Sequence, residues 1–315
     1  MNTIRHSEQS PIRVAILMGT YNAQDYLSHQ LESIAGQSCI EWTVWISDDG
    51  SQDDSLPLIA SFQQKWGTQR LKLVSGPGQG FAANFMSLVF NTDIQAEYYA
   101  FADQDDIWEP NKLSRALSLI QQTAADHPAM YCSRTRIVDQ WDRELGFSPL
   151  FTRPPSFANA LIQSLGGANT MIFNHAARRL LVEAGQVNII SHDWWAYLVI
   201  AGCGGDIIYD EYPSVRYRQH ARNVVGTNTG LRNKWVRLRK LWQGEFRNWI
   251  DCNITALNRL SNRLKPENRR LLHTFTAARN AWLLPRLMVL SQSGIYRQTL
   301  LGNLGLLFAA LFKKI

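Results

Sequence analysis

The chain is poor in cysteine, in membrane-spanning or secretory segments and, over its last quarter, in acid. Its four cysteines, Cys39, Cys132, Cys203 and Cys252, stand far apart with no C-x-x-C pair. That spacing fits neither a zinc site nor a disulfide framework, so they read as reduced, mostly buried thiols. The longest unbroken apolar run, Leu304 to Phe312 with Gly305 inside it, falls far short of the roughly 20 residues that a spanning helix needs. The first twelve residues, MNTIRHSEQSPI, hold no apolar stretch ahead of a small-residue cleavage site; no secretory signal is expected, and the expected location is the cytoplasm. Residues 232–315 hold 16 Lys and Arg against only Glu245, Asp251 and Glu267, a net +13 that leaves −7 for residues 1–231. With 315 residues and 45% hydrophobic content, a disordered tail or a disulfide-stapled miniprotein is excluded, and roughly two domains are expected.

What is present is alternation. Arg13 to Gly19 is a continuous apolar run suited to a strand buried on both faces, and Ala23 to Gln37 then spaces Leu27, Leu31 and Ile34 as on a helix. The pattern repeats at Trp42 to Ser47 with Asp54 to Trp66, at Leu71 to Ser75 with Gln79 to Phe90, and at Tyr98 to Ala102 with Pro110 to Gln122. Such alternation predicts an α/β fold with a mostly parallel central sheet flanked by helices. In these sheets ligands bind beyond the carboxyl ends of the strands. The residues there are Thr20-Tyr21-Asn22, Asp48-Asp49-Gly50-Ser51, Gly76 to Gly80, and Asp103-Gln104-Asp105-Asp106. Five carboxylates at one edge repel one another unless a cation or strong donors sit among them. Mg²⁺ or Mn²⁺ answers that need, since such ions take one or two protein carboxylates and leave room for a diphosphate.

The segments VAILMGTYNAQDYLSHQLESI, VWISDDGSQD, GFAANF and YYAFADQDDIW, in this order and spacing, resemble the N-terminal half of a family 2 glycosyltransferase with the GT-A nucleotide-diphospho-sugar transferase fold. The resemblance covers about residues 12 to 225. The D-Q-D-D-I-W form and the later YRQHARNVVG stretch look most like bacterial rhamnosyltransferases of cell-surface polysaccharide (O-antigen or capsule) assembly. With the charge division this gives a catalytic domain over residues 1–230, followed by a basic, amphipathic helical region over residues 231–315.

The resemblance also implies roles. Thr20, Tyr21, Asp48, Asp49, Asn84 and Asp103 match donor-nucleotide positions. A carboxylate there suits the N3–H of uracil or thymine, although Asp48 or Asp49 can equally cap the turn that Gly50 and Ser51 complete. Asp103 and Asp105 match the D-x-D element, with Asp105 toward the metal and Asp106 in support, and His220 matches a late metal- or diphosphate-facing histidine. Gly166 and Gly167 match an acceptor-side loop. Asp193, in Ser191-His192-Asp193-Trp194-Trp195, matches the catalytic carboxylate, with Trp194 and Trp195 expected to stack on sugar faces; an Asp in a first helical turn is also an ordinary cap. The implied reaction is inverting transfer of a sugar, L-rhamnose from dTDP-rhamnose or another sugar from a UDP donor, to a hydroxyl of a lipid-linked saccharide. A glycoside hydrolase needs two carboxylates but neither the metal nor a base-binding Asp. A nucleotidyltransferase needs a Lys- or Arg-bearing glycine loop where this chain has Gly19-Thr20-Tyr21-Asn22, and a non-catalytic assembly factor has no use for the acidic positions.

The tail carries its own pattern. From Lys234 to Trp249, Trp235, Leu238, Trp242, Phe246 and Trp249 recur at helical spacing with Arg237, Arg239, Lys240 and Arg247 between them, an amphipathic helix that either packs on the body or meets a membrane. Leu300 to Phe312, closed by Lys313 and Lys314, suits a bilayer interface. No nucleic-acid motif accompanies the charge, so the expected partner is an anionic membrane, with the protein peripheral on the inner face of the cytoplasmic membrane.

Overall fold

The computed structural model describes residues 12–38, 41–220 and 244–315. Strand β1 (Arg13–Thr20) explains its own composition. Val14, Ile16 and Met18 enter one apolar cluster with Leu27, Leu31 and Ile34 of helix α1 (Leu27–Ala35). Ala15 and Leu17 enter a second cluster with Phe85, Leu88 and Val89 of helix α3 (Phe81–Phe90). Successive residues point to opposite faces of a strand, so helices on both faces demand an unbroken apolar run.

Strands β2 (Glu41–Asp48), β3 (Leu71–Ser75) and β4 (Tyr98–Ala102) run parallel to β1, with helix α2 (Ser55–Trp66) between β2 and β3. Their register aligns the carboxyl ends: Thr20 lies opposite Asp48, Asp48 opposite Ser75, and Met18 opposite Ala102. The four loops singled out by the sequence therefore emerge along one edge.

Beyond β4 the strict alternation stops. The chain adds β5 (Ile107–Trp108), α4 (Lys112–Ile120), the hairpin β6 (Ala129–Val138) and β7 (Glu144–Phe147), and the short helix α5 (Phe157–Ala160). A 3₁₀ turn at Ala168–Thr170, β8 (Ile172–Asn174), α6 (His175–Ala184), α7 (His192–Gly202) and β9 (Asp206–Arg218) follow. The sheet order is β3-β2-β1-β4-β8-β6-β9-β5, with β7 on β6. Strand β8 is antiparallel to both β4 and β6, and β5 is antiparallel to β9. The sheet is thus mixed, parallel in its first four strands. Pairing Ile107 with Arg216 and Trp108 with Val215 brings the acidic loop after β4 against the end of β9.

Helices α8 (Glu245–Asn258), α9 (Pro266–Asn280), α10 (Leu283–Gln292) and α11 (Leu300–Leu311) complete the described chain. Ile250, Leu257, Phe275, Leu306 and Ala310 share one apolar cluster with Trp195, Val199 and Ile200 of α7, so these helices pack on the body. Of the amphipathic helix expected over Lys234–Trp249, residues 234–243 lie outside the described residues, and α8 begins at Glu245. No described helix is long and apolar enough to cross a membrane. Cys132 is buried, Cys203 and Cys252 are half-buried, and all three are free thiols; Cys39 lies outside the described residues.

Candidate active site

At the end of β2, Asp48 folds its own turn. Its Oδ2 accepts from the backbone N–H of Gly50 (3.2 Å) and Ser51 (2.9 Å), and its Oδ1 accepts from Ser51 Oγ (2.6 Å) and Thr20 Oγ1 (3.0 Å). Gly50 takes φ +94°, which a side chain resists. Asp49 points the other way: Oδ1 accepts from Gly78 N–H (2.6 Å) and Oδ2 from Gly80 N–H (3.0 Å), tying the loop after β3 to the loop after β2. The turn-capping alternative therefore holds for Asp48, which is only 8% exposed. Asp49 remains the more open of the pair.

Beneath these turns Asn84 of α3 is buried, its Nδ2 donating to Ser47 O (2.9 Å). Its Oδ1 has no hydrogen-bond partner among the described residues. Gly76 closes over it so tightly that a Cβ there would lie 2.7 Å from both Asn84 Oδ1 and Asp49 Oδ1. Tyr21, 56% exposed, is fixed through its backbone, its N–H donating to Gln104 Oε1 (2.8 Å) and its carbonyl accepting from Gln104 Nε2 (3.2 Å). Gln104 thus couples the loop after β1 to the acidic loop after β4.

That acidic loop is the electrostatic centre. Burial, then the charges of Asp105 and Asp193, push the Asp103 carboxyl up to about 8. Asp105 Oδ2 lies 2.8 Å from His220 Nε2, and the His220 ring rests against Tyr26 at 4.6 Å. Asp106 faces inward, fully buried. Its Oδ2 accepts from Asn169 Nδ2 (2.5 Å) and its Oδ1 from the Arg218 N–H (3.1 Å), while burial and the two neighbouring aspartates hold it well above the usual carboxylate range. Asp106 therefore braces the loop rather than serving as a supporting ligand. Arg218 adds a second brace, donating from Nε to Asp105 O (3.0 Å) and from Nη1 to Gln140 O (2.9 Å).

The residues present fit a hard divalent cation. Asp103 and Asp105 are oxygen donors whose mutual repulsion a cation relieves, and an imidazole stands beside them. Among the described residues no three His, Cys, Asp or Glu side chains form a ready-made cage. Hard divalent cations commonly take only one or two protein carboxylates and complete their shell with water and substrate phosphates.

Asp193 stands in the first turn of α7, close enough to act on Asp103, and its Oδ2 accepts from Ser164 Oγ (3.3 Å). Ser164 leads into Gly166 and Gly167; the Gly167 carbonyl accepts from Thr170 N–H (3.0 Å) and Oγ1 (2.9 Å), starting the turn that aims Asn169 at Asp106. His192 is buried and stacked on Phe85 at 3.9 Å, and burial depresses its imidazole to about 4. Trp194 and Trp195 are not at the surface. Trp195 is 0% exposed, and Trp194, 6% exposed, spends its indole N–H on Ala160 O (2.7 Å). Neither ring can stack on a sugar; α7 is buried nearly all round, so its aromatics serve the core.

The structure thus gathers Asp103, Asp105, His220 and Asp193, with Tyr21, Asp49 and Asn84 along the adjoining edge and the Gly166-Gly167 loop behind Asp106. Sequence reasoning missed Gln104, Asn169, Ser164 and Arg218. Each lies within or beside a quoted motif, yet its role is a contact with a distant segment that spacing does not reveal.

Comparison with known proteins places the fold and the family. The family model described as glycosyl transferase family 2 matches residues 15–181. The chain is 28% identical over 255 residues to the dTDP-rhamnosyl transferase RfbG of Shigella flexneri, covering 76% of this chain and 83% of that protein. Staphylococcus aureus TarS, solved with UDP-GlcNAc, superposes with a TM-score of 0.55 at 16% identity over 84% of this chain and 88% of that one. A mannosyltransferase of Pyrobaculum calidifontis, solved with GDP-Man and Mn²⁺, gives 0.51 at 15% identity over 98% of this chain and 86% of that one. The mixed sheet, its carboxyl-edge loops and the matched family model lead to one conclusion: the chain is an enzyme of glycosyl transferase family 2, with a GT-A fold.

Proposed function

We propose that this glycosyltransferase moves L-rhamnose from dTDP-rhamnose to a hydroxyl of a lipid-linked saccharide, with inversion at the anomeric carbon, in bacterial cell-surface polysaccharide synthesis. The observation that carries this reading is the convergence of Asp103, Asp105 and Asp193, with Asp103 pushed up to about 8 by burial and by the other two. The similarity to a dTDP-rhamnosyl transferase over three quarters of the chain supports the choice of donor. Residues 1–230 carry the transfer, and residues 231–315 carry the meeting with an anionic membrane on the inner face of the cytoplasmic membrane.

In this reading Thr20, Tyr21, Asp48 and Asp49, with Asn84 of α3 beneath their turns, form the edge that takes the base and ribose. Asp103 and Asp105, with His220, hold Mg²⁺ or Mn²⁺, which when bound neutralises charge on the departing diphosphate as a Lewis acid. Asp105 is kept at its station by Arg218 on its carbonyl and His220 on its carboxylate. On the opposite face of the sugar, Asp193 takes the proton of the acceptor hydroxyl while the new bond from that oxygen to the anomeric carbon forms and the bond from carbon to phosphate oxygen breaks. Ser164 donates its hydroxyl to Asp193 Oδ2 and so helps to hold the carboxylate in place. The Gly166-Gly167 loop lines the acceptor side.

The test is incubation of the protein with a panel of nucleotide sugars and a lipid-linked acceptor, measuring nucleotide diphosphate release. Greatest release from dTDP-rhamnose is expected. Greatest release from a UDP-sugar reassigns the donor, and no release from any donor rejects the reading.

A further inference from the structure

The described C-terminal helices turn apolar faces to solvent. On α11, Leu300, Leu301, Leu304, Leu307, Phe308 and Leu311 are exposed, at 39% to 78%, with the spacing of one helical stripe. The opposite side, Leu306, Ala309 and Ala310, is buried on the body. On α10, Leu284 (75%) and Met288 (58%) are likewise exposed, and Trp282 at its N-cap is 88% exposed. The two helices are fixed to each other by the buried Arg286, whose Nη1 donates to Ala310 O (2.6 Å) and Nη2 to Ala281 O (2.7 Å).

The pair is fastened to one side of the site. In the segment joining α10 to α11, Tyr296 O accepts from Asn159 Nδ2 (2.9 Å), and Gln298 donates from its backbone N–H to Gln163 Oε1 (2.9 Å) and from Nε2 to Arg153 O (3.1 Å). Arg297 Nη1 donates to Ile162 O (3.3 Å). The segment so gripped, residues 153–163, runs directly into Ser164 and its bond to Asp193. The apolar faces are therefore anchored on the Asp193 side, whereas the Asp48 and Asp49 turns belong to the opposite half of the sheet.

We infer that the outward faces of α10 and α11 dock on an anionic bilayer and turn the Asp193 side of the site toward it. This deepens the proposed function and rests on its lipid-linked acceptor. Charge selects the occupant. Of the 11 Lys and Arg in residues 244–315, all but the buried Arg279 and Arg286 lie outside the core, Lys313 and Lys314 at the end of α11 among them, against three acids, so this region repels a second copy of itself and attracts anionic lipid. Leucine and phenylalanine on the outward stripe, with a tryptophan at the helix end, are the side chains that enter the acyl boundary and its headgroup margin.

The experiment uses the full chain and vesicles of 70% phosphatidylcholine and 30% phosphatidylglycerol. Leu284→Ser, Leu300→Ser and Leu301→Ser are combined; each residue is at least 75% exposed, so the fold is kept. Vesicle affinity is expected to fall roughly tenfold or more, with nucleotide diphosphate release in solution unchanged. Brominated acyl chains are expected to quench the fluorescence difference between wild type and Trp282→Phe. A dye at Thr152→Cys is expected to transfer more energy to a headgroup dye than one at Gln79→Cys. Unchanged vesicle affinity in the triple variant overturns the inference, as does loss of self-association with vesicle binding intact, which assigns the face to a second copy. Equal or reversed energy transfer overturns the orientation. Vesicle binding through these residues by a protein that turns over no nucleotide sugar rejects the proposed function and leaves the lipid surface standing.

Discussion

Asp103, Asp106 and Asp193 are one residue type in three environments. Asp106, enclosed between Asn169 and Arg218, is structural; Asp103 shares its field with Asp105 and Asp193; Asp193 acts on Asp103 by its charge and accepts from the Ser164 hydroxyl. If Asp193 is the base, Asp193→Asn lowers single-turnover rates by roughly 10² to 10⁴ while donor affinity by calorimetry is kept. Near wild-type rates in that variant make Asp193 a cap of α7 and nothing more. His192 gives a pH signature. Its imidazole is depressed from 6.5 to about 4 by burial, so the fold holds the neutral form. The unfolded chain binds the proton first as pH falls, so stability is complete above about 6.5 and is lost toward pH 4, by on the order of 3 kcal/mol. His192→Phe keeps a ring on Phe85 and is expected to flatten this acid limb of the urea midpoint between pH 4 and 7; an unaltered limb assigns it to other groups.

Among the elements, β1 is legible because helices cover both its faces and it reads as an unbroken apolar run, and β2 to β4 are legible from the repeated alternation of short apolar stretches with helical spacing, each closed by an abrupt polar or glycine-rich loop. The second half was less legible for physical reasons. Two-residue β5 and three-residue β8 are too short for a period, and β8 takes an antiparallel place that local sequence does not encode. Trp194 and Trp195 read as sugar-stacking rings because a buried helix and an aromatic platform share a composition; only burial separates them. The loop after β3 offers a test of the donor edge. Alanine at Gly76 places its Cβ 2.7 Å from Asn84 Oδ1 and Asp49 Oδ1, so one of the two loops must move. Overpacking of that kind costs about 1 to 3 kcal/mol. Gly76→Ala is expected to weaken donor binding by roughly tenfold with a smaller effect on the rate of bound donor. Unchanged donor affinity removes this loop from the donor site.

Over the whole molecule, the sequence shows an acidic body and a basic tail, and the structure joins them in one apolar cluster through Ile250, Phe275, Leu306 and Ala310. Deleting residues 299–315 therefore strips buried core as well as exposed leucines, which makes surface substitution the cleaner probe of α11. In the proposed function the acidic edge meets a cation and the basic end meets anionic lipid. The proposed function routes sugar transfer through the Asp103–Asp105 pair with a divalent cation. Its most direct test is nucleotide diphosphate release from dTDP-rhamnose by wild type and Asp105→Ala, with a lipid-linked acceptor, in excess EDTA and again after Mn²⁺ or Mg²⁺ is restored. Wild type is expected to release the diphosphate in a manner that EDTA abolishes and the cation restores, and Asp105→Ala to release none in either condition; full release in EDTA, or by Asp105→Ala, rules out the metal pair.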